Sequence, residues 1–379
     1  MYISKMVLTG WRRFPEATIE LTAGLNVFHG ANGQGKTNFL EAVYYLANLS
    51  SFRTRRRGEL ITWGRREASI SGWIVADTGS TVLSVSLDRS SRTVTRGGMN
   101  SSSLLSYYGC LSVVLFAPNQ VRLVGGPPII RRRFLDRAVL RRLPDHVVLL
   151  RDYNKMLKSR NVSLKGKDVD LAEVYGRQMA SLAGRIVGRR RTLVNQLGEG
   201  FESLYRDVTG TDERVSLRYR CSWCPQDTVD EGEIGGSFLE TLPRRLDLDR
   251  QRGYTTIGPQ FDDLEFLIDG RPAGPYASQG QARSIAMTAV LVEHDLLSVR
   301  GNSPVLLVDD LSSELDERRR RSFLDRLSGL SGQVLMTSTE SVMDRDGRIF
   351  LVEGGSIHPE AERPVTEQLS GTSETVQVE

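Results

Sequence analysis

Residues Gly30-Ala31-Asn32-Gly33-Gln34-Gly35-Lys36-Thr37 have the spacing G-x4-G-K-[ST]. In that order they can wrap a polyphosphate. Glycines let backbone N–H groups reach phosphate oxygens with no Cβ in the way. Lys36 would neutralise the β- and γ-phosphate oxygens, and the Thr37 hydroxyl would ligate Mg²⁺. Far downstream, Pro304-Val305-Leu306-Leu307-Val308-Asp309-Asp310 is an apolar run ending in two carboxylates. Asp309 would hold Mg²⁺ through water, and Asp310 would orient or deprotonate an attacking water. Together the two segments specify a nucleoside triphosphate and Mg²⁺ site assembled from both ends of the chain.

Such chemistry needs particular elements around it. Leu25–His29 reads as a short strand feeding the loop. From Asn38 to Leu49, with Leu40, Val43, Tyr44 and Ala47 at helical spacing, a helix leaves it. That helix's N-terminus adds favourable partial charge at the phosphates. Val305–Val308 is uniformly apolar, as a central parallel strand covered on both faces must be. Asp309 would then sit at the strand's carboxyl end, where open α/β sheets bind ligands.

A third segment, Ala277-Ser278-Gln279-Gly280-Gln281, opens an apolar helical pattern. On local grounds Ser278 with Gln281 is a capping box. The same residues are similar to the signature of ABC-type ATPases, in which Ser278, Gly280 and Gln281 would meet a nucleotide held by another subunit. Ser312-Ser313-Glu314-Leu315-Asp316 resembles the D-loop of that family. One phosphate loop and one signature per chain then call for a second copy, with ATP joining the two and hydrolysis releasing them.

A chain of 379 residues is long enough for two domains. Alternating apolar stretches near the start read as strands; from about Arg131 the period becomes helical, and after Thr255 strands return. The reading is an α/β head from residues 1–127 and 253–358, a mainly helical lobe from 128–252, and a disordered polar tail from 359–379. Leu171 to Leu204 is one long helix or a helix pair. No apolar run approaches the about 18 residues of a membrane span, and no secretion signal is read. Three cysteines suggest a reducing cytoplasm. Cys221 and Cys224 lack two further ligands for zinc and read as ordinary thiols.

Net charge is only +4, yet arginines cluster. Arg55, Arg56 and Arg57 follow the phosphate-loop helix. Arg131 and Arg132 open the lobe, and Arg189 and Arg190 lie on its long helix. Each cluster alone reads as a solvated face; several together point to nucleic acid gripped through phosphates without sequence reading.

These segments resemble the bacterial RecF family, which is related to SMC-type ATPase heads. Leu8-Thr9-Gly10-Trp11-Arg12-Arg13-Phe14, Ser51-Phe52-Arg53-Thr54, Leu115-Phe116-Ala117-Pro118, Arg131-Arg132-Arg133-Phe134-Leu135-Asp136 and Leu157-Lys158-Ser159-Arg160-Asn161 carry the likeness. It spans nearly the whole chain except the tail. The resemblance implies an ABC/SMC-type head, ATP-dependent DNA binding and homodimerisation, and slow ATP hydrolysis used as a switch. It also implies work with RecO and RecR in loading RecA at gaps, in the nucleoid-bearing cytoplasm. By position, Arg12 would touch nucleotide phosphates. Asp310 follows the RecF pattern where SMC heads carry Glu, and Met336-Thr337-Ser338-Thr339 has no switch His. Gly258-Pro259-Gln260-Phe261-Asp262-Asp263 departs from the family's G-P-H-R-D-D, which leaves the contacts of that His and Arg open. A transporter's nucleotide-binding subunit fits less well with the long insert, and a nuclease would need a further domain.

Overall fold

The computed structural model describes residues 1–101, 104–298, 303–310, 317–339 and 347–360. The segment resembling a D-loop, and the polar tail from residue 361, lie outside these.

The alternating N-terminal stretches form a six-stranded antiparallel sheet. Its strands are β1 (Tyr2–Trp11), β2 (Phe14–Glu20), β4 (Glu67–Ala76), β5 (Gly79–Asp88), β6 (Arg92–Arg96) and β7 (Met99–Asn100), in the order β2-β1-β4-β5-β6-β7. A register shift between Ile3 and Lys5 explains a mismatch in the pattern. Strict alternation would put Ile3 and Met6 on opposite faces, and the bulge turns both inward with Leu8.

A second six-stranded sheet carries the chemistry. It contains β3 (Leu25–His29), β8 (Val113–Phe116), β12 (Val305–Val308), β13 (Val334–Ser338), β14 (Arg348–Glu353) and β15 (Ser356–Pro359). The order is β15-β14-β3-β13-β12-β8, parallel throughout except for β15. Helix α1 (Lys36–Asn48) follows β3. Every residue of β12 is buried, as its apolar run requires. Val305 and Leu307 face the core shared with α1 and the antiparallel sheet. Leu306 and Val308 face the core built with the helices.

Those helices are α4 (Pro128–Arg142), α5 (His146–Lys165), α6 (Val169–Thr209), α7 (Glu231–Arg252) and α9 (Gln279–Leu297), with short α2 (Leu104–Tyr107), α3 (Arg122–Gly125) and α8 (Ala273–Tyr276), and α10 (Glu317–Ser328). The Leu171–Leu204 pattern resolves to one helix, α6, of 41 residues. At 1.5 Å per residue it is roughly 60 Å long. Its glycines mark close approaches rather than interruptions. A Cβ on Gly184 would strike the backbone carbonyl of Glu231, and one on Gly176 would meet Leu242. The small sheet β9 (Val215–Arg220), β10 (Asp263–Ile268) and β11 (Arg271–Pro272) crosses the boundary expected at 253. No helix among the described residues is long and apolar enough to cross a membrane.

Arginine–carboxylate forks hold the helical region together, and this corrects part of the DNA-contact set. Arg131 and Arg190 are buried. Arg131 donates to both Asp263 oxygens at 2.7 and 2.8 Å. Arg190 grips Asp136 at 2.8 and 2.9 Å and the Pro259 carbonyl at 2.7 Å. Arg189 grips Asp145 at 3.0 and 2.7 Å, and Arg132 donates to the Asp262 carbonyl at 2.8 Å. The forks of Arg131 and Arg190, filled inside the fold, are not free for phosphate, whereas Arg132 makes one bond and Arg189 pairs with a half-exposed Asp145. Gln260, at the family's His position, accepts from Tyr153 Oη at 2.5 Å, while Phe261 is 51% exposed. Cys221 and Cys224 are joined as a disulfide, their Cα atoms 6.1 Å apart, in place of the two thiols expected. A three-residue separation permits that distance.

Two measurements test this packing. Gly184→Ala should lower stability to urea by about 1–3 kcal/mol, because overpacking outweighs the about 1 kcal/mol gained in helix propensity. Gly198→Ala on the same helix, where a Cβ meets nothing, should raise it. Equal responses would refute the close approach.

The second concerns Asp262, which accepts from Tyr219 Oη at 2.7 Å and Trp223 Nε1 at 3.0 Å. Burial dominates those bonds and Arg190, and raises its carboxyl to about 6. The unfolded chain releases this proton near about 4, so folding takes up a proton between the two values. Its stabilisation is complete below about 4 and falls as pH rises through about 6. The stability difference between wild type and Asp262→Asn should therefore shrink by on the order of 3 kcal/mol across that window. Asp136 has the opposite sign. Burial would raise it, but Arg190 and His146 outweigh burial and hold it down to about 2, so its contribution disappears on acidification toward that value.

Candidate nucleotide site

The phosphate loop is shaped by two glycines no other residue replaces. Gly30 has φ 142° and a Cβ there would strike the Val352 carbonyl. Gly35 has φ 124° and lies against the Phe14 ring. Helix α1 starts at Lys36 with no side-chain cap and no acid in its first turn, so its leading N–H groups are open to an anion. Ala31, Asn32 and Gly33 are exposed at the rim. Gln34 Oε1 accepts from the Gly354 N–H at 2.9 Å and ties the loop to the β14–β15 turn. Lys36 Nζ donates to the carbonyls of Gly30 at 2.5 Å and Ala31 at 2.9 Å. Burial pushes its pKa down, against the pull of Asp310 and Asp309.

Thr37 Oγ1 donates to Asp309 Oδ1 at 2.8 Å. Thr337, from the strand between them, donates to the same oxygen at 2.9 Å and accepts from the Asp310 N–H at 2.9 Å. Asp309 is 4% exposed, and burial above all raises its pKa. Asp310 has φ 48°, a left-handed backbone at the carboxyl end of β12. A hydroxyl and a carboxylate converging this closely suit a hard cation such as Mg²⁺, which takes oxygen donors and keeps several waters.

Arg12 reaches this region differently from the sequence expectation. Its Nε and Nη2 grip Glu41 on α1 at 2.8 and 2.7 Å, and its Nη1 donates to the Glu59 carbonyl at 2.7 Å. Glu41 is 0% exposed and also receives Ser51 Oγ. Arg53 bonds Asn38 Oδ1 at 2.8 Å and lies 3.7 Å from Glu41. Sequence reasoning missed the roles of Glu41 and Thr337. A lone carboxylate among Leu40, Ala42, Val43 and Tyr44 was the available signal, because a buried charge demands a partner.

Ser278 caps α9 with both bonds of a capping box. Ser278 N–H donates to Gln281 Oε1 at 2.8 Å, and Gln281 N–H to Ser278 Oγ at 3.2 Å. Gln281 also donates to Glu213 at 2.6 Å. Ser278 is exposed and Gly280 half-buried. Helices α1 and α9 pack in different cores, on opposite faces of the parallel sheet. No hydrogen bond among the described residues links residues 278–281 to residues 30–37 of the same chain. Of the arginines after α1, Arg55 and Arg56 are exposed, and Arg57 donates to the Ser90 carbonyl at 2.6 Å.

Known proteins share this arrangement. A family model described as an AAA domain matches residues 5–133. A DNA replication and repair protein RecF from Acidothermus cellulolyticus is 36% identical over 372 residues, covering 94% of this chain and 99% of that protein. A solved structure of the recombination mediator RecF-ATPrS in the RecFOR pathway is similar with a TM-score of 0.87 at 27% identity, covering 95% of this chain and 98% of that one. An Smc head bound to the C-terminal winged-helix domain of ScpA shares the fold alone, with a TM-score of 0.56, 15% identity, and coverage of 95% and 97%. Related at this level along almost its entire length, the chain belongs to the RecF family of DNA replication and repair proteins.

Proposed function

We propose that this chain is an ATP-dependent, DNA-binding recombination mediator whose two copies close on DNA around two shared nucleotides. One observation carries the reading. The loop that would hold the phosphates and the helix cap that would complete them lie on opposite faces of one sheet, so a single copy supplies half of each pocket. A second copy in head-to-tail orientation supplies the other half. Lys36 and the α1 N-terminus bind the phosphates, while Thr37 and Asp309 hold Mg²⁺. When bound, Mg²⁺ neutralises charge on the phosphates. Asp310 orients the attacking water, and its short side chain suits slow hydrolysis that times release. Arg12, its fork filled by Glu41 and the Glu59 carbonyl, holds α1 in place rather than meeting a phosphate directly. Solved relatives are RecF in complex with ATP or an analogue, in the RecFOR pathway, which supports ATP as ligand and RecR with RecO as partners. RecA loading at gapped or single-strand/double-strand DNA belongs to the same reading.

Sedimentation with and without ATP and a gapped DNA tests the clamp. Lys36→Met should weaken nucleotide binding by about a hundredfold, the loss of two charge-assisted contacts. Ser278→Arg should keep nucleotide binding yet sediment as a monomer with ATP; normal dimerisation of that variant would break the shared-pocket model.

DNA affinity should fall steeply with salt, with a log–log slope of about −0.9 per phosphate neutralised. Replacing Arg55 and Arg56 by Gln should flatten that slope by about 1 each. A salt-independent affinity would remove the phosphate contacts from the proposal.

A further inference from the structure

A cavity of about 600 Å³ opens between α1, the segment after it and α4. This is the size of a pocket for one nucleotide-scale ligand. Eight arginines and a single carboxylate, Glu293, line it. Glu293 is buried and already bonded by Arg141. Arg53, Arg57 and Arg92 donate to Asn38 Oδ1 and to the carbonyls of Ser90 and Leu49. The guanidinium groups of the other four, Arg55, Arg122, Arg133 and Arg137, make no hydrogen bond or ion pair among the described residues, although Arg137 lies 5.4 Å over the Tyr44 ring. Burial, then repulsion from Arg55, Arg137 and Arg132, pushes the Arg133 pKa down. Like charges held together without a counter-charge favour a multiply charged anion. The planar forks suit phosphate.

Phe52 and Phe134 line the same cavity and offer ring faces to a base. A duplex is too bulky for such a recess, whereas the last nucleotide of a single strand fits. A terminal phosphomonoester carries about −1.5 to −2 charge at neutral pH, against one for a backbone diester. The unneutralised arginines therefore favour an end over a mid-strand segment.

We propose that this cavity seats the terminal nucleotide of a nucleic-acid strand, with its phosphomonoester among Arg55, Arg133 and Arg137 and its base against Phe52 or Phe134. The proposal rests on the DNA-binding reading and adds strand ends to it. Arg53, bonded to Asn38 beside Thr37 and close to Glu41, connects the cavity to the nucleotide loop.

Fluorescence anisotropy on short single strands, phosphorylated at one end, at the other, or at neither, tests it. Wild type should prefer one phosphorylated strand by about tenfold, the factor expected from one added charge-assisted contact. Arg55→Gln, an exposed change that keeps the fold, and Arg133→Gln with Arg137→Gln should each abolish the preference. Equal binding of all three strands by wild type would overturn the proposal, as would a preference that survives in both variants. Competition by a free nucleoside monophosphate as strong as that by the phosphorylated strand would assign the cavity to free nucleotides and overturn it too. Duplex bound with indifference to end phosphates would sink this proposal alone; failure to bind any DNA would sink the DNA-binding reading with it.

Discussion

One hydrogen bond, from Thr37 to an aspartate 272 residues later in the chain, defines the centre of this molecule. It exists because β3 and β12 flank β13 in one parallel sheet, and Thr337 of β13 fills the space between their ends. Three strand ends must arrive together before the oxygens converge. Closing so long a loop costs entropy, so the convergence depends on the whole sheet being in place. The geometry also suits a cation. Burial raises Asp309's pKa, disfavouring its charge. A divalent ion held by Thr37 and Asp309 would relieve that penalty.

Glu41 plays the corresponding part on α1. A fully buried carboxylate within an apolar helix is tolerable only when its oxygens are filled, and Arg12, Ser51 and Arg53 surround it. Removing one partner of such a buried pair typically costs about 3–5 kcal/mol, because the other charge is left stranded. The end of β1 and the segment after α1 are thereby fixed to the helix that starts the nucleotide site. Displacement of Arg53 on the cavity side would be felt at Asn38, one residue from Thr37.

The nucleotide site was legible in the sequence where its determinants are local. Strand, glycine loop and helix run consecutively, and four apolar residues before Asp309 fit a strand covered on both faces. Longer-range facts left weaker traces. Nothing near Arg190 announces Asp136, 54 residues away, as its partner. The glycines of α6 read as breaks because sequence alone does not show that α7 passes close beside Gly184. The bulge after Ile3 is likewise invisible until β4 supplies the register. Cys221 and Cys224 lacked zinc partners, but spacing by itself does not separate two thiols from a bonded pair.

Arginine composition proved least informative, for a geometric reason. Arg131, Arg132 and Arg133 are adjacent in sequence, but about 100° per residue puts Arg131 and Arg133 on nearly opposite sides of α4. Arg131 turns inward and closes on Asp263. Arg133 and Arg137, one turn apart, turn toward the cavity, with Ile130, Phe134 and Arg141 along the same stripe. A run of three like charges on a helix therefore never describes one surface. Whether a carboxylate stands opposite each guanidinium separates those that hold the fold together from those left to attract an anion. On α4 both kinds occur within three residues. One helix thus anchors the start of β10 through Arg131 while presenting unneutralised charge toward the segment that follows the phosphate-loop helix.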